Sequence, residues 1–492
     1  MKKKKIILYG AGDVGGKYLK IFEDLNIEIC CLIDSDENKQ GRYLLRKKIF
    51  SINECLETYG KDNFFVITPL KREIEKIMRD NLLQNQVKNE NIVPVEYVVM
   101  QYIDAKKYCA SIKWNKKPSW IFDTGETGSF GGIEKYIYLV SNEFIKNGEH
   151  TKIIFPSFID NVPENLRKNV INFNFFTEKI EKKGIYNLGN TIEFDTINFD
   201  EKLSHAVKIL TKLAPATLVL SNINWWFVAA TIVNSIRKDS IQLISVIHGN
   251  EEISQRRNYF ALNYLKAIIC SNSGIYKTFL SDYNIDTTKV YMKNHPIVPC
   301  KNIEIKKYVR NEALKIGYAG RIEIIDKRCD LIPDFLEELD KRTQKYEFHI
   351  LGDGGYKTKL QQYVTDNNYS RNVFFHKKIQ YEEIPRFWSE MDIFINFSDS
   401  EGMCLSMIEA MQAGKPCVTT HVHEDVGKYV IDGKNGYVVT TGDTKSLAIS
   451  VCRFIKNPNL VERYGRESYR IVNSSDHVEE YRFFLKGLVE NE

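Results

Sequence analysis

Three times along its 492 residues the chain starts a short apolar strand, turns through glycines and enters an amphipathic helix. This repetition limits the fold more than any other feature. The first start is KIILY at 5–9, followed by Gly10, Gly12, Gly15 and Gly16. The second is SWIFDT at 119–124, followed by Gly125, Gly128, Gly131 and Gly132, and the third is LKIGYA at 314–319, followed by Gly320. Apolar runs this short, bounded by glycine and spaced by helical patterns, read as strands of mostly parallel sheets with helices on both faces. TKIIFP, TLVLS, LISVIH and KAIICS continue the second series; YEFHILG, NVFFH, DIFINF and KPCVTT continue the third.

The expected fold class is α/β, with three Rossmann-like units of which the last two face each other across a cleft. A chain this long exceeds what one core organises. Its 43% hydrophobic and 27% charged residues supply material for several cores. The expected organisation is a Rossmann-like domain at 1–105, a lysine-rich linker at 106–117, one large half at 118–305, a second at 306–470, and a closing helix at 471–492. Asp476 and Glu479 have capping-box spacing before that helix. Trp225 and Trp226 are read as part of a core helix. The units share an architecture and no short sequence period, which excludes a solenoid.

The segment SDSEGMCLSMIEAMQAGKPCVTT holds Glu401 and Glu409 with seven residues between them, followed by Gly414 and a strand. Eight residues of helix advance roughly 12 Å, the span from a nucleotide's ribose to the far hydroxyls of an attached hexose. Carboxylates so placed can each grip a diol. Upstream, the strand LKIGYA delivers Gly320 and Arg321 to its end, with Lys327 six residues later. A guanidinium and an ammonium there suit a diphosphate. In the other half, Gly131 and Gly132 stand at a helix start, where free amides favour phosphate. His248, in SVIHGN, ends a strand.

Together these motifs, with LGDGG at 351–355 and IDGKNGYVV at 431–439, resemble glycosyltransferase family 4, the retaining enzymes of GT-B fold with an E-x7-E element. The resemblance covers about residues 118–470. It implies that Glu401 binds the transferred sugar, Glu409 the ribose, and Arg321 and Lys327 the leaving diphosphate in place of a metal, with His248 near the reacting carbon. By the same resemblance Gly402, Met403, Cys404 and Leu405 belong to the donor site with Gly131, Gly132 and Gly320. It implies transfer of a hexose-type sugar from a nucleotide-diphosphate sugar, UDP-linked by preference, to a glycan or lipid-linked saccharide, with no metal and no other cofactor. Surface polysaccharide assembly in bacteria is the family's usual work. THVHEDVGKYV at 420–430 departs from the pattern, because many relatives carry a glycine pair there. Rival readings are a non-catalytic partner of another transferase and a nucleotide-sugar epimerase.

Gly10, Gly12 and Gly15 after a strand, with Asp34 beyond the next, fit a dinucleotide fingerprint. The first domain resembles the small Rossmann units of sugar-modifying acyltransferases and dehydratases, which implies NAD or a nucleotide sugar as ligand; a purely structural role is the alternative. His421, His423, Glu424 and Asp425 are weak metal candidates, as side chains two apart in a loop seldom converge. Asp34-Ser35-Asp36 mimics a DxD metal motif, but it lies where an acidic residue meets ribose.

The net charge of +5 is scattered, so nucleic acid is not implied. Ten dispersed cysteines without a CxxC pair fit a reducing compartment. MKKKK precedes an apolar run too short for a signal-peptide core. A cytoplasmic location is expected, with weak peripheral contact at the inner face of the plasma membrane and homo-oligomerisation both left open.

Overall fold

The computed structural model describes residues 4–69, 72–108, 112, 115, 117–125, 132–156, 162–175, 198–285, 287–300, 305, 312–377, 379, 383–474 and 477–490. Gly128, Gly131 and Asp476 lie outside these residues.

Each of the three apolar starts founds its own sheet. The first contains β1 (Ile6–Tyr9), β2 (Cys31–Ile33), β3 (Tyr43–Leu44), β4 (Lys47–Phe50) and β5 (Phe64–Ile67), in the order β3-β4-β2-β1-β5. The pairing is parallel apart from the β3–β4 hairpin. The second sheet has seven strands: β6 (Ser119–Asp123), β7 (Thr151–Phe155), β8 (Val170–Asn172), β9 (Ala216–Leu220), β10 (Ile241–Ile247), β11 (Ala267–Cys270) and β12 (Val290–Met292), ordered β12-β11-β10-β9-β6-β7-β8. The third has β13 (Leu314–Ala319), β14 (Tyr346–Leu351), β15 (Val373–His376), β16 (Ile393–Ile395), β17 (Cys417–Thr420) and β18 (Gly436–Val439), ordered β15-β14-β13-β16-β17-β18. In each sheet the order reverses beside the founding strand, between β1 and β5, β6 and β9, and β13 and β16. Such reversals open a crevice at the carboxyl ends of the strands.

The first domain is built into the second. One continuous core runs from Leu8, Phe22, Val98 and Val99 to Leu218, Trp225 and Leu243. Trp225 and Trp226 are buried in the core helix Trp225–Ile236, as expected. Tyr108 and Ile112, inside the expected linker, are themselves buried, so this stretch is packed where it is described. The helix Glu252–Ala261 seals the joint. Arg256, 5% exposed, donates Nε to the Ile92 carbonyl at 3.1 Å and Nη2 to Asn89 at 3.0 Å, and Nη2 also bonds Ile92. Arg257 pairs with the buried Glu96 at 3.2 Å, and the Tyr97 and Phe260 rings lie 5.0 Å apart.

The helix Val478–Glu490 returns to the second sheet's unit and packs on the helix Gly132–Lys146, where the Tyr136 and Tyr481 hydroxyls bond at 3.0 Å and Lys486 meets Glu149 at 2.7 Å. Among the described residues no helix is long and apolar enough to cross a membrane. Removing the Arg256 head group leaves the Ile92 carbonyl without its donor, while the Asn89 carbonyl keeps the Ile92 amide; an unpaired buried acceptor costs about 1–3 kcal/mol. Arg256→Met is therefore expected to lower the melting temperature by several degrees, measured by calorimetry. An unchanged transition would mean that the joint carries no stability.

Candidate active site between two sheets

The candidate residues gather where the crevices of the second and third sheets face each other. β13 ends at Ala319, and Gly320 and Arg321 follow directly. The loop runs on to Lys327 through Asp326 and then Arg328, both in the left-handed region at φ 63° and 48°. This loop is held from two sides. Gly352, at φ 155°, lies so close to the Gly320 carbonyl that a Cβ there would sit 1.9 Å from its oxygen, and Gly354 packs likewise on Ile322. That is the physical use of LGDGG. On the other side the Asp399 amide donates to Asp326 O at 2.9 Å, and Arg328 pairs with Asp399 at 2.5 Å. The Arg321 side chain is exposed, while its carbonyl accepts the Tyr318 hydroxyl at 2.7 Å.

β16 leads to Ser398 and Glu401. Oε1 of Glu401 accepts Lys327 Nζ at 2.6 Å and Ser398 Oγ at 2.6 Å. Burial alone would lower the pKa of Lys327, but the adjacent Glu401 outweighs it and the ammonium is held above its ordinary value. The helix Leu405–Gln412 begins only after Cys404, whose side chain does not cap it. The spacing of Glu401 from Glu409 is thus set by an irregular approach plus one helical turn, and not by eight helical residues. Met403 and Cys404 turn into the core of the third sheet's unit, which leaves their backbone as the part able to meet a ligand. Burial raises the Cys404 thiol to about 11.

Three contacts bind the units together here. A Cβ on Gly402 would lie 1.8 Å from the carbonyl oxygen of His248, so backbone meets backbone. Asn272, which caps the helix Ser273–Tyr283 through Oδ1, also donates Nδ2 to the carbonyls of Glu401 and Gly402 at 3.1 and 2.8 Å. Lys135 reaches across to Glu409 at 2.6 Å, with side chains 11% and 13% exposed. At the same seam Gly132 would bring a Cβ to 3.3 Å from Leu405, so the N-termini of two helices approach each other. Of the residues here that were not expected at the site from the sequence, only Lys135 carried a signal, its place in the first turn after the glycine pair. Asn272 and Ser398 had none.

His248 is joined by a second histidine, His295, at 2.8 Å from Nδ1 to Nε2. Burial, and then the neighbouring imidazole, keep His248 well below its ordinary pKa; burial lowers His295 to about 4. The segment at 420–430 works as a strap. Asp425 accepts the Ser273 amide at 2.5 Å and pairs with Lys428 at 2.9 Å, Lys428 also bonds Asn294 at 2.9 Å, and Glu424 pairs with Lys277 at 2.6 Å. The acidic residues considered for a metal are thereby engaged in ion pairs. In IDGKNGYVV, residues 436–439 form the edge strand β18, and the turn lies in the residues before it.

In the first domain a Cβ on Gly15 would lie 2.0 Å from the Gly10 carbonyl oxygen, and Gly10 itself has φ 112°. Gly12 opens to free space. Asp34 Oδ2 accepts the Ala11 amide at 2.7 Å and lies 3.3 Å from Lys39, while Oδ1 accepts the Asp36 amide at 2.9 Å. A ribose would have to displace these bonds, which already fasten the glycine turn.

Residues 301–471 match the family model described as Glycosyl transferases group 1, and residues 2–93 match C2185-like, N-terminal. The poly(ribitol-phosphate) alpha-N-acetylglucosaminyltransferase of Staphylococcus aureus is 27% identical over 186 residues, 38% of this chain and 35% of that protein. The GtfA subunit of a UDP-N-acetylglucosamine–peptide N-acetylglucosaminyltransferase from Streptococcus agalactiae is 21% identical over 42% of this chain and 43% of that one. The chain thus spans well under half the length of these two relatives. Among solved structures, TarM superposes with a TM-score of 0.61 at 15% identity, covering 76% of this chain and 99% of that one. Pneumococcal GtfA in complex with UDP and GlcNAc gives 0.61 at 14%, with the same coverage, and Anabaena HepE in complex with UDP gives 0.59 at 15%, covering 76% and 100%.

Two expectations follow from the geometry. Gly402→Ala forces the His248 carbonyl and residue 402 apart; small-angle scattering should show a wider molecule and proteolysis faster cleavage at 420–430, and an unaltered profile would refute the contact. His295 binds its proton more readily unfolded than folded, so its contribution is complete above pH about 6.5 and lost toward pH 4, at up to about 1.4 kcal/mol per unit. Urea unfolding at stepped pH should show stability falling below pH about 6.5, and a flat profile would contradict the buried neutral state. The chain therefore has the GT-B glycosyltransferase fold, and the part of it at 301–471 matches the group 1 glycosyl transferases.

Proposed function

We propose that the chain is a retaining, metal-independent glycosyltransferase that moves a hexose-type sugar from a nucleotide-diphosphate sugar, UDP-linked by preference, to a glycan or lipid-linked acceptor in bacterial surface polysaccharide assembly. The observation that carries this reading is the pairing of Lys327 with Glu401 at 2.6 Å at the crevice of the third sheet, beneath the His248 backbone. A free ammonium would be costly in so buried a place, and Glu401 keeps it charged until a better anion arrives. A donor diphosphate is such an anion. On its arrival Lys327 and Arg321 bind the phosphates, and Glu401 is released to accept sugar hydroxyls. Fixed cations aimed at the departing oxygen stabilise charge that grows in the transition state. Glu409 takes the ribose, and the amides at Leu405 and Gly132 add dipoles of the sign phosphate favours.

In this reading the leaving phosphate oxygen takes the proton of the acceptor hydroxyl on the face from which it departs. The names of the relatives favour a polyol-phosphate or glycan hydroxyl as acceptor, and several solved neighbours hold UDP, UDP and glucose, or UDP-glucose. The first domain braces the acceptor half through the shared core.

The test is incubation of the full chain with radiolabelled nucleotide sugars and bacterial membrane extract. Labelled glycan of retained configuration is expected, with undiminished yield in chelator. Free modified nucleotide sugar would indicate an epimerase, and no turnover with any donor would indicate a non-catalytic partner. Arg321→Ala and Glu409→Ala should each reduce product formation by at least about 100-fold, the scale for loss of one preorganised electrostatic contact. Full activity in both would overturn the site assignment.

A further inference from the structure

We propose that His295 is a positioning residue, which donates its Nε2–H to Nδ1 of His248 and thereby presents the Nε2–H of His248 to an oxygen of the ligand between the two sheets. The proposal rests on the reading of His248 as a group beside the reacting carbon and adds a residue to it.

The two rings are 2.8 Å apart from Nδ1 of His248 to Nε2 of His295; His295 is buried, His248 is partly buried, and both are neutral. One hydrogen serves this contact, so it fixes both tautomers at once. Nε2 of His248 and Nδ1 of His295 are buried without a hydrogen-bond partner among the described residues. Either arrangement leaves one of these nitrogens with an unbonded hydrogen and the other with an unbonded lone pair. Orphaned buried N–H groups are the rarer of the two kinds. If the hydrogen were on His295 Nδ1 it would be sealed, because His295 is 4% exposed and the Tyr136 ring covers it at 4.9 Å. On His248 Nε2 it belongs to a residue at the end of β10, whose own carbonyl touches Gly402 of the opposing unit. A ligand entering between the units supplies the missing acceptor.

The ring of His248 has no freedom to choose otherwise. Tyr136 stands edge-on to it at 5.0 Å and is tied through its hydroxyl to Tyr481. His295 is fixed in turn by the loop Asn294–Pro296, where Lys428 of the strap bonds Asn294. The orientation of His248 is thus set by its own unit, by the helix Val478–Glu490 and by the opposing unit together. Partners that orient metal-bound histidines change activity by about 10–100-fold when removed, and an imidazole oriented by another imidazole is expected to respond on that scale.

The experiment uses the full chain labelled with 15N-histidine, with His248 assigned from the spectrum of His248→Ala. Long-range 1H–15N correlation should show His248 Nδ1 as the bare nitrogen and Nε2 as the protonated one. Hydrogen on Nδ1 overturns the proposal. His295→Leu should lower kcat by about 10–100-fold while donor KM changes little, and His295→Gln, which keeps an N–H donor, should recover most of the loss. A leucine variant as active as the parent, or a glutamine variant no better than leucine at equal melting temperature, would reduce His295 to packing. If His248→Ala turns over normally, the reading of the cleft fails instead, and the nitrogen spectrum still decides whether His295 is the donor.

Discussion

Backbone contact between Gly402 and the His248 carbonyl sets how near the two large units come. An oxygen 1.8 Å from where a side chain would begin leaves no room for any residue but glycine. The other bonds of the seam depend on this approach. Asn272 reaches the carbonyls of residues 401 and 402 only at this separation, and the Lys135–Glu409 pair spans the same gap. The constraint is steric and acts at one point, while the attractions it permits are electrostatic and spread along the cleft. The site is therefore defined by proximity first and by charge second.

Glu401 and Glu409, the two carboxylates of the cleft, each already hold a lysine. Lys327 with Glu401 and Lys135 with Glu409 are nearly dry pairs, and breaking such a pair without replacement costs about 3–5 kcal/mol. An anionic ligand with hydroxyl groups offers each partner a substitute, so exchange costs far less than rupture. A neutral molecule of the same shape offers no such compensation. Under the proposed function, selectivity for a phosphorylated sugar would lie in these resting ion pairs.

Much of this was legible in the sequence, for identifiable reasons. Strands such as IILY and LKIGYA are buried on both faces, and continuous apolar runs report that directly. The edge strands β8, β12 and β18 are only three or four residues long and partly buried, so the pattern passes over them. Lys327 and Glu401 could be assigned to one cleft because both follow strands that border the reversal of the third sheet, but their ion pair could not be foreseen. His295 and Asn272 could not, because their roles arise from loops that meet only after folding. The lysine-rich linker at 106–117 is packed where it is described for a related reason: lysines dominate its composition, but the buried Tyr108 and Ile112 decide where it lies. The shared core of the first two units has no local signature at all, since each strand would look the same in an independent domain.

The helix Val478–Glu490 has a consequence for how the molecule is made. Its Tyr481 and Leu485 complete the core around Tyr136 and Phe144, which the ribosome produces before the whole of the third sheet. A nascent second unit therefore waits with an open apolar face through the synthesis of its neighbour. Completion of the two units is coupled in time, and chaperones that shield apolar surface would have that face to hold until the closing helix emerges.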